Sequence, residues 1–224
     1  MTYIFLYLNL ALLIIPFALM LDKKAIKSFI IPSIAVTIFF SEAGVFLAGT
    51  KVWIFNPDYL LGVIYRKLPL EMYLFYFTST FASLGIYTYL NAKFLKNDWQ
   101  KYTLALSNLL LGLMIAMLFF AYTKWYTVIT FAILFVLILF VEYKNHLRFM
   151  YKFYRAYIVC LIPFYLSFGL LCNLPIISYK AAETVEANLF NIPFENHFYM
   201  MGMLLLGVYL LEVIKAWKVN NGTA

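Results

Sequence analysis

Seven apolar stretches, each near the length that crosses a bilayer and each closed off by a short polar segment, restrict this chain more than any other feature. A spanning helix needs roughly 17 to 25 mostly apolar residues. Such runs extend over about Tyr3 to Met20, Phe29 to Ala48, Leu70 to Leu90, Tyr102 to Tyr122, Tyr126 to Val141, Tyr157 to Cys172 and Phe194 to Ile214. Of the 224 residues, 65% are hydrophobic and 12% charged, whereas a soluble domain carries about 25% charged residues. The expected fold class is therefore all-α, a polytopic membrane helix bundle of about seven transmembrane helices in one membrane domain. Only Thr123, Lys124 and Trp125 part the fourth run from the fifth, so a single bent helix there is the rival arrangement. The start, Met1, Thr2 and Tyr3, offers neither a basic region nor a small-residue cleavage site after the apolar run, and the first stretch reads as a retained span.

The net charge of +7 sits in short clusters between the runs, which speaks for membrane topology and against nucleic acid. Alternate loops and the tail hold Lys23, Lys24, Lys27, Lys93, Lys96, Lys101, Lys144, Arg148, Lys152, Arg155, Lys215 and Lys218; the intervening loops hold Lys51, Arg66, Lys67, Lys124 and Lys180. Twelve against five puts the C-terminus in the cytoplasm and the N-terminus outside, in what is expected to be a bacterial cytoplasmic membrane. Cys160 and Cys172 lie inside apolar runs and read as packing residues.

A repeat runs through the chain. The third run opens with Leu68, Pro69, Leu70, Glu71, Met72 and Tyr73, the seventh with Ile192, Pro193, Phe194, Glu195, Asn196 and His197. Three spans, a linking span and three more give both copies one orientation, as in parallel repeats about an axis along the membrane normal. The expected division is a first repeat over 1–92, a linking helix over 93–123 and a second repeat over 124–224.

An ionisable residue near an apolar span is a functional candidate because burying its charge is costly. Glu71, Glu195 and Glu42 meet that description, and Glu42, late in the second span, is expected to approach the Pro69 turn on the same side. Helix capping is the competing account of each Pro-x-Glu, since Pro suits the first helical position and an acid suits the first turn. A proton donor there must be kept neutral by burial or by a second carboxylate. Asn196 and His197 follow the second motif and could orient a carboxyl group. Trp53, Phe55 and Tyr59 crowd the loop before Glu71, where their ring faces could shelter a cation or merely belong to an interfacial belt. Glu212 is expected to pair with Lys215 or Lys218.

Several chemistries lack their parts. Two histidines on opposite sides of the predicted membrane, His146 and His197, cannot build a multi-histidine di-iron site. There is no Gly-rich phosphate loop or dinucleotide fingerprint, and Asp58 and Asp98 are isolated rather than gathered into an Asp-rich metal motif. No metal and no cofactor is expected.

Over nearly its whole length the sequence resembles the membrane-embedded lycopene cyclase family, whose members occur as two small subunits or as one fused chain. The resemblance is carried by the stretch from Tyr7 to Lys24, by Trp53-Ile54-Phe55-Asn56-Pro57-Asp58-Tyr59-Leu60-Leu61-Gly62, by Leu68-Pro69-Leu70-Glu71, and by Asn191-Ile192-Pro193-Phe194-Glu195 running on to Leu211-Glu212. Members usually read Pro-x-Glu-Glu and Pro-x-Glu-Asp at the two sites. Here Met72 and Asn196 stand in place of the second acids, while Glu71 and Glu195 remain and Glu42 falls where the family places an acid in its second span.

The resemblance implies a redox-neutral cyclisation of lycopene or a related linear carotene drawn from the lipid bilayer. Glu71 or Glu195 would be the acid, and Glu42 would tune it or act as base. Trp53, Phe55, Tyr59, Pro69, Pro193, Asn196 and His197 would contact substrate. A homo-oligomer and other carotenoid-pathway enzymes are the candidate protein partners. Two alternatives stand beside cyclisation: capture of the cation by water, as in a carotenoid hydratase, and a non-catalytic carotenoid-binding or partner subunit with a thinned site. A transporter fits less well, because the spans show no paired Gly-Pro interruptions.

Overall fold

A computed structural model describes residues 3–19, 21–94 and 98–221. Met1, Thr2, Met20, Lys96 and the last three residues, all of which entered the sequence reading, lie outside the described residues. The chain forms α1 (Ile4–Ala18), a short α2 (Lys23–Ser28) leading through Phe29 into α3 (Ile30–Gly49), α4 (Leu70–Lys93), α5 (Thr103–Phe120), α6 (Trp125–Leu139), α7 (Met150–Asn173) and α8 (Phe194–Asn220). With α2 and α3 taken as one span, that is seven helical segments. The molecule is an integral membrane protein: Lys23–Gly49, Gln100–Phe120, Trp125–Lys144, Met150–Asn173 and Phe194–Asn220 are each long and apolar enough to cross a bilayer.

The other two segments depart from a uniform span for physical reasons. The 15 residues of α1 rise only about 22 Å at 1.5 Å per residue, short of the roughly 30 Å hydrocarbon core. The 24 residues of α4 are long enough but include Thr78, Ser79, Thr80 and Ser83 at mid-helix. They are tolerated because α4 sits at the centre, packed by α1, α3, α7 and α8, and faces protein more than lipid. The break after α5 is a true turn, closed by Lys124 N–H donating to the Ala121 carbonyl, so α5 and α6 are separate antiparallel helices and not one bent helix. The sixth span starts at Met150, seven residues before the apolar run begins, and Lys152 and Arg155 lie on its first turns rather than in a loop.

The two repeats interlock. Within each, α1 packs on α4 and α6 on α8; between them, α3 lies against α8 and α7 against α4. Close approach of α1 to α4 depends on Gly85, where an added Cβ would stand 2.8 Å from the Pro16 ring. Small residues at such crossings let helices meet without the hydrophobic drive available in water.

After α3 and after α7 the chain follows one path twice. Each helix leads into a short strand, β1 (Trp53–Phe55) and β4 (Ile177–Tyr179), then a single 3₁₀ turn (Pro57–Tyr59, Ala181–Glu183). A two-residue hairpin follows, β2 (Ile64–Tyr65) with β3 (Leu68–Pro69) and β5 (Asn188–Leu189) with β6 (Ile192–Pro193). Both hairpins turn on two residues of positive φ, Arg66 and Lys67 in one and Phe190 and Asn191 in the other, as a type I′ turn requires. The strands β1 and β4 pair antiparallel, Trp53 opposite Tyr179, Ile54 opposite Ser178 and Phe55 opposite Ile177. Equivalent strands pairing about their own centre are what a two-fold relation between the repeats produces.

Candidate active site

The sites begin where each hairpin delivers its proline to a helix. Pro69 and Pro193, both buried in extended backbone, are the N-caps of α4 and α8, so Glu71 and Glu195 fall in the first turns. Neither carboxylate caps its own helix. Glu71 Oε1 instead accepts from the Leu61 N–H, and Glu195 Oε1 accepts from the Val185 N–H at 2.7 Å; each donor lies ten residues back, in the loop folded over the helix end. Leu61 and Val185, like Glu71 and Glu195, are 124 positions apart (185 minus 61, 195 minus 71), so the contact is repeated with its register intact. Both carboxyl groups are almost wholly enclosed, at 1% and 0% exposure. In both, Oε2 is buried with no hydrogen-bond partner among the described residues.

Around this common plan the halves differ. Glu195 Oε1 also takes the Thr127 hydroxyl at 2.7 Å from α6. On the other side Asn9 of α1 ties itself to the backbone of α4 rather than to the carboxylate: its Nδ2 donates to the Glu71 carbonyl at 3.1 Å and its Oδ1 accepts from Thr78 at 2.9 Å. A lone Asn in an apolar span was a legible signal; Thr127 and Thr78 carry none at the sequence level.

Between α4 and α8 lies a narrow central cavity of about 20 Å³, walled by Met72, Phe75 and Tyr76 from one repeat, by Asn196, Tyr199, Met200 and Met203 from the other, and by Trp53, Tyr126, Phe164 and Phe168. That is room for about one water. The Trp53 ring stands edge-on to Tyr126 and to Tyr199, each at 5.6 Å between centroids, and Tyr76 and Tyr199 face each other hydroxyl to hydroxyl at 3.3 Å. The Tyr199 hydroxyl donates to the Phe40 carbonyl at 3.0 Å. Asn196 joins this box: its Oδ1 accepts from Tyr126, and its Nδ2 donates to the Tyr179 hydroxyl at 2.6 Å. Burial pushes the Tyr179 phenol, on β4 outside the helices, well above its ordinary value, so it stays neutral. A box of aromatic faces of this kind can stabilise a cation held inside it.

The remaining sequence candidates are placed as follows. Trp53 is a wall of the cavity; Phe55, on the same strand, is half-buried 6.5 Å from the Trp53 ring, and Tyr59 is half-buried in the 3₁₀ turn that follows. His197 is 7% exposed, its Nδ1 close to the Phe194 carbonyl at 3.2 Å, its Nε2 buried without a partner, and its ring against Phe164 and Tyr165. Met72 and Asn196 face the central cavity, whereas Glu71 and Glu195, one residue earlier on each helix, turn toward their own loops. Three carboxylates do not converge. Glu42 is 58% exposed and forms a two-pronged ion pair with Arg66, at 2.6 and 3.0 Å, on the outside of α3. The reason is helical phase: Phe40 and Gly44 point to the core, and the residue midway between them must point away. Glu212 pairs with Lys215 at 2.9 Å, as its spacing suggested.

The aromatic box was hidden by composition. With 19 Tyr and 23 Phe in the chain, nothing local marks Tyr76, Tyr126, Tyr179 and Tyr199 apart from the rest.

Searches of curated proteins and of solved structures return no match. A model of the lycopene cyclase family matches residues 2–90 and 123–214, which takes in both repeats and both buried glutamates and leaves out the segment that carries α5. The chain belongs to the lycopene cyclase family.

Proposed function

We propose that this protein closes the linear ends of a carotene such as lycopene into ionone rings without redox change. The observation that carries the reading is the repeated buried carboxyl group, one oxygen tied to a loop N–H and the other enclosed and unpartnered. In each carboxyl group Oε2 is the atom that no protein group among the described residues claims, which leaves it for the reaction.

The chemistry then balances within the carbon skeleton. Glu71 or Glu195 gives its proton to the terminal double bond, and a tertiary cation forms. The neighbouring alkene attacks the cation and closes the six-membered ring, passing the positive charge on to the ring. Loss of a ring proton to the carboxylate left behind restores both the alkene and the acid. General acid catalysis of this sort contributes about 10² to 10⁴ in rate. The box of Trp53, Tyr76, Tyr126 and Tyr199 would offer ring faces to the passing charge once its cavity of about 20 Å³ widens to admit a chain end, and Phe55, Tyr59, Pro69, Pro193, Asn196 and His197 frame the two ends. Glu42, paired with Arg66, has its part in holding the first hairpin.

Access suits a bilayer substrate. An open apolar groove of about 670 Å³ runs between α1 and α7, lined by residues such as Leu8, Leu12, Ile15, Leu166 and Leu170, with Phe190 of the hairpin tip at its edge. Tyr165 lines it and packs against His197 at 5.4 Å, which connects the groove to the second site.

One observation favours a second reading, a carotenoid-binding subunit without catalysis: the two positions facing the cavity carry Met72 and Asn196, neither of which can transfer a proton to carbon. Expression in a lycopene-accumulating bacterium, with pigments separated by chromatography, decides. Cyclised carotene is expected, lost on Glu71→Gln or Glu195→Gln. Unchanged lycopene with well-inserted protein leaves the binding reading, and a hydroxylated acyclic product means that water captures the cation.

A further inference from the structure

At the end of the bundle opposite the hairpins, the structure holds a third enclosed carboxyl group, one that the cyclisation chemistry does not use. Glu142 lies in a π-helical turn (Phe140–Lys144) continuing α6, closed by Asn145 N–H donating to the Phe140 carbonyl at 3.0 Å. Such turns are concentrated at functional sites. The residue is 9% exposed. Its Oε2 accepts from Ser107 of α5 at 2.8 Å, and the Ser107 oxygen lies 2.8 Å from the Tyr154 hydroxyl of α7.

Among the described residues no Lys, Arg or His stands within ion-pair distance of Glu142. A buried carboxyl group gains from a cationic partner, and the pocket beside Glu142 has room to receive one. Glu142 lines a pocket of about 220 Å³ whose rim carries Arg148 and whose apolar walls include Leu104, Leu147 and Met150. One acid inside, one guanidinium at the mouth and aliphatic walls beside them match a molecule with an ammonium group, a phosphate and acyl chains in that order.

We infer that this pocket binds the headgroup of an aminophospholipid, the ammonium of phosphatidylethanolamine donating to Glu142 and its phosphate meeting Arg148. An ammonium has the N–H donors that a carboxylate needs, which the quaternary amine of phosphatidylcholine lacks. Phosphatidylglycerol offers Arg148 a phosphate but brings Glu142 no cation. The lipid would hold α5, α6 and α7 together where the π turn loosens the helix, and the site does not depend on the cyclase reading.

The test uses the full chain in nanodiscs of phosphatidylcholine alone, or with phosphatidylethanolamine or phosphatidylglycerol added, followed by thermal unfolding and by lipid retention in native mass spectrometry. Phosphatidylethanolamine alone is expected to raise the unfolding midpoint and to be retained about tenfold better than phosphatidylcholine; Glu142→Gln and Arg148→Gln each abolish the preference. Should Glu142→Gln fail to fold, the exposed Arg148→Gln still decides through retention. Equal midpoints in all three lipids would overturn the inference and leave Glu142 as a hydrogen-bonded staple of three helices. Equal effects of phosphatidylglycerol would overturn it in favour of a plain anion site, and an equal shift from soluble glycerophosphoethanolamine would overturn the lipid source.

Discussion

Thr127 on α6 donates its hydroxyl to Oε1 of Glu195 at 2.7 Å, and among the described residues no side chain does the same for Glu71, whose Oε1 rests on the Leu61 N–H. The two halves of a repeated site are thus held to different degrees. An intramolecular hydrogen bond contributes about 0.5–1.5 kcal/mol, and in a chain of this size each kcal/mol moves the unfolding midpoint by about 2–4 °C. Thr127→Val, which keeps the shape and removes the donor, is expected to lower the midpoint in detergent by about 1–6 °C, while Thr127→Ser retains it. A Thr127→Val protein that melts with the wild type would show that the contact contributes nothing.

The Glu42–Arg66 pair predicts a different outcome. Both partners are half-exposed or more, at 58% and 50%, and exposed ion pairs contribute little to stability. Glu42→Gln is expected to leave pigment conversion within about twofold of wild type, in contrast to the loss of about 10² or more expected for Glu71→Gln. Chromatography of the same cultures makes the comparison. A Glu42→Gln strain as inactive as Glu71→Gln would bring this carboxylate back into the reaction.

Much of this architecture could be read from the chain because lipid imposes one rule on it. Backbone groups in hydrocarbon must be satisfied within the segment, so apolar runs announced helices, and a Pro-x-Glu repeated at the same helix ends announced the twofold plan. What could not be read was phase and distance. Glu42 follows Phe40 by two residues, and that step alone sends it outward to Arg66. Met72 and Glu71 are neighbours, yet only Met72 reaches the cavity. Glu142 closes an apolar run just before a basic stretch, with no local pattern to mark it; its burial depends on Ser107, 35 positions away, and on a π turn.

Packing of the short first helix yields a third prediction. A Cβ at Gly85 would lie 2.8 Å from Pro16 Cγ and 3.1 Å from its Cα, and since part of the obstruction is backbone, it cannot swing aside. Overpacking of this kind costs about 1–3 kcal/mol. Gly85→Val is expected to loosen α1 from α4, lowering the unfolding midpoint and exposing the α1 connection to limited proteolysis, whereas Gly112→Val, at a position with nothing within 4 Å, serves as the tolerated control. Equal protease resistance in the two variants would argue against tight α1–α4 packing.

The last prediction concerns the residues that replace acids at the two sites. Asn196 already sits between two phenols, accepting from Tyr126 and donating to Tyr179. An Asp there keeps the acceptor role, and the Tyr179 hydroxyl can turn to donate in place of the lost amide, so both carboxylate oxygens find partners. Met72 is 2% exposed among apolar side chains, and a Glu in its place would be a buried charge with nothing to pair with, a change that commonly costs several kcal/mol. Asn196→Asp is therefore expected to fold with a near-native midpoint and to raise cyclised product per protein, because a carboxylate held by two phenols puts a base for the ring proton on the cavity wall. Met72→Glu is expected to express poorly or melt earlier and to gain less. Product per protein, measured beside the unfolding midpoint, separates the two effects. If Asn196→Asp folds well and cyclises no better than wild type, the cavity wall is not where the ring proton leaves, and Glu71 and Glu195 alone carry the reaction.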